Sequence, residues 1–243
     1  ITRHPIKGHG REDLASVRLS AGACLPWDRH WAVAQDGARV NEGAWTPCAS
    51  FSRGAKAPAL MAVTAALDEA TATVTLRHPV QGAITFRPDD PADLPRFLAW
   101  ADPLVPETRP RPARIVTAGR GMTDSAFPSV AILNTASLAD LSARMGRDLS
   151  VHRWRGNLWL DGAAPWAEWD WIGREIALGS AVLRIEERIT RCVATMVDPE
   201  TGVTDADTLG ALDAAFGHQD FGVYATVLHG GDVAIGSEWT LTC

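Results

Sequence analysis

Five residues in the second half of the chain have side chains and spacing that could serve one chemical site: Arg153, Arg155, Asn157, Arg191 and Cys192. The first three alternate along the chain, so on an extended strand they would share one face and offer hydrogen-bond donors to an anion. Cys192 follows Arg191, a neighbour that favours the thiolate, which is the form of cysteine that binds metals. The stretch from 151 to 199 could therefore hold an anion at one end and present a thiolate at the other.

Each of these residues also has an ordinary structural explanation. Arginines two positions apart are compatible with a solvated strand face, and a lone cysteine on an apolar strand is usually buried and inert. Spacing alone leaves both interpretations open. Five of the ten tryptophans lie in the same stretch, at 154, 159, 166, 169 and 171. They indicate core packing first, with a stacking platform for an aromatic substrate as the alternative.

The sequence lacks several other catalytic and metal-binding motifs. Gly119 and Gly121 follow a predicted strand, but the third glycine of a dinucleotide-binding loop is missing and Asp124 stands in its place. There is no Gly-x-Ser-x-Gly segment of the kind that carries a nucleophilic serine. The seven histidines include no pair at helical ligand spacing and no Cys-x-x-Cys occurs, which argues against a structural zinc site.

The composition is that of an ordinary globular protein of one large or two modest domains, with 243 residues, of which 46% are hydrophobic and 21% charged. Its 23 Lys and Arg against 29 Asp and Glu give a net charge of -6, so we expect binding neither to nucleic acid nor to an anionic membrane. The four cysteines, Cys24, Cys48, Cys192 and Cys243, lack the spacing of a disulfide framework. No signal segment or membrane-spanning apolar run is present, so we expect a reducing, cytoplasmic location.

Hydrophobic patterns predict many short strands and three short helices. The helices are expected after the N-cap candidate Asp93, from Ser137 to Gly146, and from Asp207 to Phe216. The strands are expected at 17–19, 29–34, 60–67, 73–77, 84–87, 113–117, 130–133, 151–160, 174–179, 181–190, 192–197, 223–228 and 238–242.

Prolines at 103, 106, 110 and 112 mark a connection, where we place a boundary between domains 1–105 and 106–243. A doubly wound fold needs a helix between successive parallel strands, and three helices are too few for that. The sequence therefore predicts a mainly β, α+β fold, with two β-barrel-like domains and peripheral helices.

Several short segments resemble, in collinear order, the MOSC domain (molybdenum cofactor sulfurase C-terminal domain). These segments are Arg153-Trp-Arg-Gly-Asn157, Trp166-Ala-Glu168, Trp171-Ile-Gly173, Arg191-Cys192, Asp198-Pro-Glu-Thr-Gly202 and Phe221-Gly-Val-Tyr-Ala225. Near the N-terminus, Pro5-Ile-Lys-Gly8 and Asp28-Arg29 resemble the β-barrel domain that precedes the MOSC domain in the amidoxime-reducing component and its bacterial relatives. The resemblance covers nearly the whole chain and also implies two barrel-like domains.

The resemblance implies a pterin, the molybdenum cofactor, whose anionic groups need donors from several segments. The cofactor-binding residues that it implies are Lys7, Gly8, Arg29, Thr135, Ser137, Arg153, Arg155, Asn157 and Arg191. The segment of Thr135 and Ser137 resembles one near the cofactor phosphate, and as an N-cap Ser137 would leave helix N–H groups available to it. Cys192 coincides with the family's cysteine, which makes it the expected molybdenum ligand and catalytic residue, because thiolate is a soft ligand.

The implied activity is an oxidoreductase that removes oxygen from small N-hydroxylated or N-oxide substrates. Only Cys243 follows Cys192, so the chain has too few thiolates there for an iron–sulfur cluster, and we expect a separate electron donor, a flavoprotein or a ferredoxin-like protein. Two alternatives remain open: a sulfur carrier that transfers a persulfide from Cys192, and a non-enzymatic carrier of the molybdenum cofactor. Pyridoxal phosphate is expected only in a partner protein.

Overall fold

Short strands make up most of the secondary structure in the computed structural model, which describes residues 1–41 and 43–242. The strands are β1 (Thr2–Arg3), β2 (Ile6–Lys7), β3 (Glu12–Asp13), β4 (Ser16–Leu19), β5 (Trp31–Gln35), β6 (Thr64–Asp68), β7 (Thr73–His78), β8 (Gly82–Phe86), β9 (Pro112–Thr117), β10 (Val130–Asn134), β11 (Leu158–Leu160), β12 (Glu175–Leu178), β13 (Ala181–Thr190), β14 (Asp220–His229), β15 (Gly231–Ala234) and β16 (Trp239–Thr242). The helices are α1 (Leu94–Ala101), α2 (Thr135–Met145) and α3 (Thr208–Phe216). Short 3-10 turns occupy Cys48–Ser50, Pro58–Ala62, Asp102–Leu104, Val151–Trp154, Ala167–Trp171 and Val193–Met196. The prediction of a mainly β fold with peripheral helices is confirmed.

The largest sheet has six strands in the order β11-β10-β14-β13-β12-β16. Neighbouring strands are antiparallel, except that β10 and β11 run parallel. On β13, Leu183, Ile185 and Ile189 are buried while Arg184 between them is exposed, as the alternation of side chains along a strand requires. Register shifts between β13 and β14 bend this long pair and carry the chain towards Cys192 at its end.

The N-terminal part of the chain has its own core, enclosed by the sheets β2-β5-β9 and β6-β7-β8 and by α1. Trp31 of β5 is fully buried, and Phe86 of β8 stacks on Phe97 of α1 with ring centroids 4.7 Å apart. Because β2 pairs in parallel with β5, this core fixes the position of Lys7.

Contacts between the two ends of the chain hold these two parts together. Strand β4 pairs with β15, and the backbone N–H of Thr2 donates to the carbonyl oxygen of Asn157 at 2.8 Å. The buried side chain of Arg11 donates to the carbonyl oxygen of Pro199 at 2.9 Å and to Oε1 of Glu200 at 2.6 Å. The predicted domain boundary at 105/106 stays a prediction, and β9, which follows it, pairs with β5.

Two predicted strands that carry candidate site residues are wrong. Residues 151–154 form a 3-10 turn, Arg155 has a left-handed φ of 48°, and β11 begins only at Leu158. Since a left-handed residue cannot continue a strand, the arginines at 153 and 155 do not share a strand face. Residues 193–196 also form a 3-10 turn, and so does the first half of the predicted strand 60–67, whose second half belongs to β6.

The helices begin and end close to the predicted capping residues, but one predicted N-cap is wrong. Asp207 caps α3 by accepting a hydrogen bond from the N–H of Gly210 at 2.9 Å. At α2 the cap is Asn134, whose Oδ1 accepts from the N–H of Ala136 at 3.0 Å, so Ser137 is a buried residue of the first turn and not the N-cap. Among the described helices, none combines the length and the apolar character that crossing a membrane requires.

Candidate functional site

A cavity of about 230 Å³ lies where the N-terminal part meets the six-stranded sheet. Seven of the ten predicted site residues line it: Lys7, Gly8, Arg29, Arg153, Arg155, Arg191 and Cys192. They come from four separated parts of the chain, which the pairing of β2 with β5 and the contacts of the 151–157 segment bring together. The structure therefore brings these seven residues together at one cavity, while their binding roles stay predictions.

Lys7 is buried at the end of β2, and its side chain forms part of the cavity wall. Its Nζ donates to the carbonyl oxygen of Met122 and to Oδ1 of Asp124, both at 2.6 Å. Burial lowers the pKa of Lys7, while the carboxylate of Asp124 opposes that shift. The carboxyl group of Asp124 is partly exposed. Desolvation would raise its pKa, but the attraction of Lys7 and Arg29 outweighs this effect, so the pKa of Asp124 lies below the ordinary value. One ion pair thus closes this side of the cavity.

Arg29 lies between a buried carboxylate and the opposite wall. Its Nη1 donates to Oδ2 of Asp28, and its Nη2 donates to the carbonyl oxygen of Arg155 at 2.9 Å. Asp28 also accepts from the backbone N–H of His4 at 2.8 Å, so burial, which would raise the pKa of Asp28, is outweighed by Arg29 and His4. Burial also lowers the pKa of His4 to about 3, which leaves that ring neutral. The pair of Asp28 and Arg29 therefore has a fixed geometry.

Arg155 is the cation with the weakest internal contacts at this site. Its Nη1 and Nη2 both lie 3.4 Å from the carbonyl oxygen of Gly10, and no carboxylate in the described part of the chain forms a salt bridge with it. Burial lowers its pKa to about 9, and the positive charge of Arg29 adds to this shift. An anion in the cavity would relieve both effects, which makes Arg155 the best-placed donor for a bound anion.

Arg153 and Arg191 line the cavity but use most of their donors inside the protein. The Nη1 and Nη2 of Arg153 form a bidentate ion pair with Asp205 at 2.7 and 2.8 Å. Arg191 donates from Nε to the carbonyl oxygen of Phe221 at 2.7 Å and from Nη1 to that of Trp154 at 2.8 Å. Burial lowers the pKa of Arg191 to about 10. These two arginines hold the walls of the cavity and add positive charge to it.

Cys192 is exposed on the cavity wall at the start of the 3-10 turn that follows β13. Its backbone carbonyl accepts hydrogen bonds from the N–H and the hydroxyl group of Thr195, both at 3.1 Å, which fixes the backbone at this point. The prediction left open whether this thiol is buried and inert or accessible for chemistry. The structure places it in the open, in the same cavity as Lys7 and Arg155.

Thr135, Ser137 and Asn157 do not line the cavity. Thr135 donates to Oδ1 of Asp161 at 2.9 Å on the outer side of α2. Ser137 donates to Oε2 of the buried Glu168 at 2.8 Å, so an internal carboxylate takes the place near the start of α2 where a phosphate was expected. The side chain of Asn157 forms hydrogen bonds with the backbone instead. Its Oδ1 accepts from the N–H of Ala131 at 3.0 Å, and its Nδ2 donates to the carbonyl oxygen of Thr2 at 3.2 Å.

Four ionisable residues of the cavity wall were not among the predicted site residues: Cys48, Arg53, Asp124 and Tyr224. Asp124 and Tyr224 did appear in the sequence analysis, the first as the residue that breaks a glycine motif and the second inside a segment shared with relatives. Burial and the charge of Asp124 raise the pKa of Tyr224 to about 12, so its hydroxyl group keeps its proton at neutral pH. Cys48 and Arg53 lie in an irregular segment without a motif, and nothing in their spacing marked them.

The charge of the site is opposite to that of the whole protein. The cavity is lined by six cationic side chains and one carboxylate: Lys7, Arg29, Arg53, Arg153, Arg155, Arg191 and Asp124. Asp28 and Asp205 behind the wall neutralise two of the cations, and a positive excess remains. In the described part of the chain, no cluster of three or more His, Cys, Asp or Glu side chains could hold a metal ion. The positive excess suits a bound anion next to the exposed thiol of Cys192.

Comparisons with known proteins agree with the sequence resemblance. The family model described as "MOSC domain" matches residues 124–240. Mitochondrial amidoxime-reducing component 1 of Mus musculus is 35% identical over 104 residues, which cover 41% of this chain and 30% of that protein. Molybdenum cofactor sulfurase of Anopheles gambiae is 33% identical over 81 residues, which cover 33% of this chain and 10% of that protein. The matched part thus spans less than a third of either relative. Among solved structures, YiiM from Geobacillus stearothermophilus superposes with a TM-score of 0.37 at 17% identity, over 47% of this chain and 54% of that one.

Proposed function

Because residues 124–240 belong to the MOSC domain family, we propose that this protein binds the molybdenum cofactor in its cationic cavity and reduces small N-hydroxylated or N-oxide substrates. One observation carries the proposal: an exposed thiol, Cys192, shares a positively charged cavity with Lys7, Arg29 and Arg155. Two relatives support it by their names, one an amidoxime-reducing component and the other a molybdenum cofactor sulfurase.

The residues of the cavity fit such a cofactor by their chemistry. A phosphate-bearing pterin needs cationic donors, and Arg155 has guanidinium N–H groups that only weak contacts to Gly10 engage. Molybdenum is a thiophilic metal, and Cys192 can supply a soft thiolate from the exposed wall. The cofactor itself, when bound, supplies the two-electron chemistry that removes an oxygen atom from a substrate N–O bond.

The protein's own groups then have three roles. Lys7 and Arg155 bind the anion, and the buried pair of Asp28 and Arg29 orients Arg155 through the hydrogen bond from Arg29 to its carbonyl oxygen. Cys192 would hold the metal of a bound cofactor. The hydroxyl group of Tyr224, which keeps its proton at neutral pH, stands at the cavity wall as a hydrogen-bond donor for a polar substrate atom.

We further propose that the electrons come from a separate protein, either a flavoprotein or a ferredoxin-like carrier. An iron–sulfur cluster normally takes four thiolates. Of the cysteines in the described residues, Cys24 is buried and Cys48 and Cys192 face the cavity, while Cys243 lies outside the described residues. These thiols do not offer a four-thiolate site.

A sulfur carrier is the second candidate, because Cys192 is exposed and one relative is named as a sulfurase. In that case the thiolate of Cys192 would bear an additional sulfur atom as a persulfide and pass it to an acceptor. The two functions make different demands on the cavity, since only the reductase needs the cofactor to remain bound during turnover.

Turnover assays with the purified full chain test the proposal. Protein from cells that make the cofactor is supplied with an artificial electron donor and a panel of hydroxylamines and N-oxides. We expect reduction of these substrates by the wild type, loss of turnover in Cys192→Ser, and unchanged turnover in Cys24→Ser, whose thiol is buried away from the cavity. Bound cofactor without turnover on any member of the panel would indicate a cofactor carrier, and a persulfide on Cys192 without bound cofactor would indicate the sulfur carrier.

A further inference from the structure

A second thiol faces the same cavity as Cys192. Cys48 begins the 3-10 turn Cys48–Ser50 and is half-buried, with its side chain on the cavity wall. Nothing in the proposed reduction uses it. Cys24 offers a contrast, because it is buried outside the cavity and burial raises the pKa of its thiol.

Cys48 has a cationic partner. Nη1 of Arg53 donates to Sγ of Cys48 at 2.7 Å. This hydrogen bond holds the sulfur atom of Cys48 in a fixed position on the cavity wall, next to a positive charge. Lys7 lies on the same cavity wall and adds positive charge.

The segment that carries Cys48 packs on the segment that follows Cys192. A Cβ atom built on Gly54 would lie 3.7 Å from the Cβ of Ala194, so the two segments lie next to each other there. The buried ring of Phe51 and the hydrogen bond from the N–H of Ser52 to the carbonyl oxygen of Val33, at 2.9 Å, anchor the first segment to β5. Cys48 precedes this anchor in a short turn, and its side chain and that of Cys192 line the same cavity of about 230 Å³.

From this arrangement we infer that Cys48 is a resolving cysteine, which traps oxidised Cys192 as a reversible Cys48–Cys192 disulfide across the cavity. The inference concerns the two thiols of the full chain while no cofactor occupies the cavity, and it does not depend on the proposed function. A peroxide oxidises the Cys192 thiolate to a sulfenic acid and leaves as hydroxide or alkoxide. The Cys48 thiolate then attacks the Cys192 sulfur, the S–S bond forms, the S–O bond breaks and hydroxide leaves. The disulfide protects Cys192 from irreversible oxidation to the sulfinic acid.

Hydrogen peroxide and intact-mass spectrometry test this inference. The full chain is purified in a Cys243→Ser background, treated with hydrogen peroxide, quenched by alkylation and digested without reduction. We expect a mass lower by two hydrogen atoms, a peptide pair that joins 48 to 192, and recovery of both thiols with dithiothreitol. In Cys48→Ser we expect oxygen adducts at Cys192 that dithiothreitol does not fully reverse.

Two further variants test whether Cys48 resolves the oxidised Cys192. Arg53→Met removes the hydrogen bond to Sγ of Cys48 and keeps an unbranched side chain. We expect an unchanged melting temperature but disulfide formation about tenfold slower, because the hydrogen bond that positions the attacking sulfur atom is lost. Cys24→Ser is the matched control and should form the disulfide at the wild-type rate. Oxygen adducts at Cys192 in equal yield with and without Cys48, or a bridge from Cys192 to Cys24, would overturn the inference.

Discussion

Replacing Arg155 by Met should make the protein more stable and at the same time prevent it from binding an anion. Arg155 is half-buried beside the positive charge of Arg29, and among the described residues only the carbonyl oxygen of Gly10 lies within hydrogen-bond distance of its guanidinium group. Holding a charge in such a place costs free energy of folding, which an anionic ligand would recover. A side chain that only supports the fold would show the opposite effect on stability.

The size of this effect follows from the pKa of Arg155, which burial and Arg29 lower to about 9. At about 1.4 kcal/mol for each tenfold change in proton affinity, the shift from the ordinary value corresponds to at most about 5 kcal/mol. Because the side chain is only partly buried, solvent screening reduces this to about 2 kcal/mol. For a chain of this size, that gain corresponds to a melting temperature about 4–8 °C higher.

The sign of the pH dependence is also defined. Below pH 9 the folded protein holds the unfavourable charge, and its stability rises as the pH increases through about 9, because the folded state then releases a proton that the unfolded chain keeps. Arg155→Met should lack this rise. The measurement is thermal and urea unfolding between pH 7 and pH 10, with and without inorganic phosphate as the anion.

The matched control is Arg18→Met, because the side chain of Arg18 is 75% exposed and pairs with the exposed Asp232 at 2.9 Å. Its removal should change stability by less than about 1 kcal/mol. Phosphate should raise the melting temperature of the wild type and of Arg18→Met but not that of Arg155→Met. A clear loss of stability in Arg155→Met, or an equal response of all three proteins to phosphate, would refute the reasoning.

Three further predictions concern the groups around the cavity. Asp205→Asn leaves the buried guanidinium of Arg153 without its bidentate partner, and urea unfolding should show a loss of about 3 kcal/mol; a change below 1 kcal/mol would contradict the role of this pair. Burial lowers the pKa of His4 to about 3, so folding stability should fall as the pH decreases from about 6.5 towards 3. His4→Gln should flatten that part of the curve of stability against pH. An unchanged slope would argue against a buried neutral ring. Burial raises the pKa of Glu168, so the wild type should lose stability as the pH rises through that raised pKa. Glu168→Gln should not lose stability in this pH interval. Parallel stability curves for the two proteins would be inconsistent with a buried carboxyl group at this position.

The sequence predicted the fold class and most elements because their signals are local. Alternating apolar residues mark β13 and β7, and Asp207 with Gly217 brackets α3. The predictions failed where a local signal is ambiguous. Residues 151–154 lead directly into the apolar segment of β11, so the sequence predicts a single strand there. The left-handed backbone of Arg155 ends any extended segment, and arginine is not a residue type that predicts this conformation.

The candidate site was predicted in part, for reasons that differ from residue to residue. Lys7, Arg29, Arg155 and Cys192 belong to segments that resemble motifs of the family, and the structure brings all four to one cavity. The role of Arg153 depends on Asp205, which is distant in sequence, so its engagement in an internal ion pair could not be foreseen.

A side chain's partners decide whether a polar residue of the right type is free for a ligand. Ser137 and Asn157 have suitable donors, yet Glu168 and the backbone use them. Cys48 and Arg53 show the reverse, because they reach the cavity from an irregular segment in which spacing predicts nothing. Only the fold shows such pairings.

The most direct test of the central claim is the molybdenum and pterin content of the wild type and of Cys192→Ser, both purified from cells that make the cofactor. If the cations hold the pterin and Cys192 holds the metal, the wild type should carry molybdenum and pterin in near-stoichiometric amounts, and Cys192→Ser should lose most of the molybdenum while Cys24→Ser keeps it. A wild type without molybdenum, or a Cys192→Ser variant that binds as much of it as the wild type, would contradict the account.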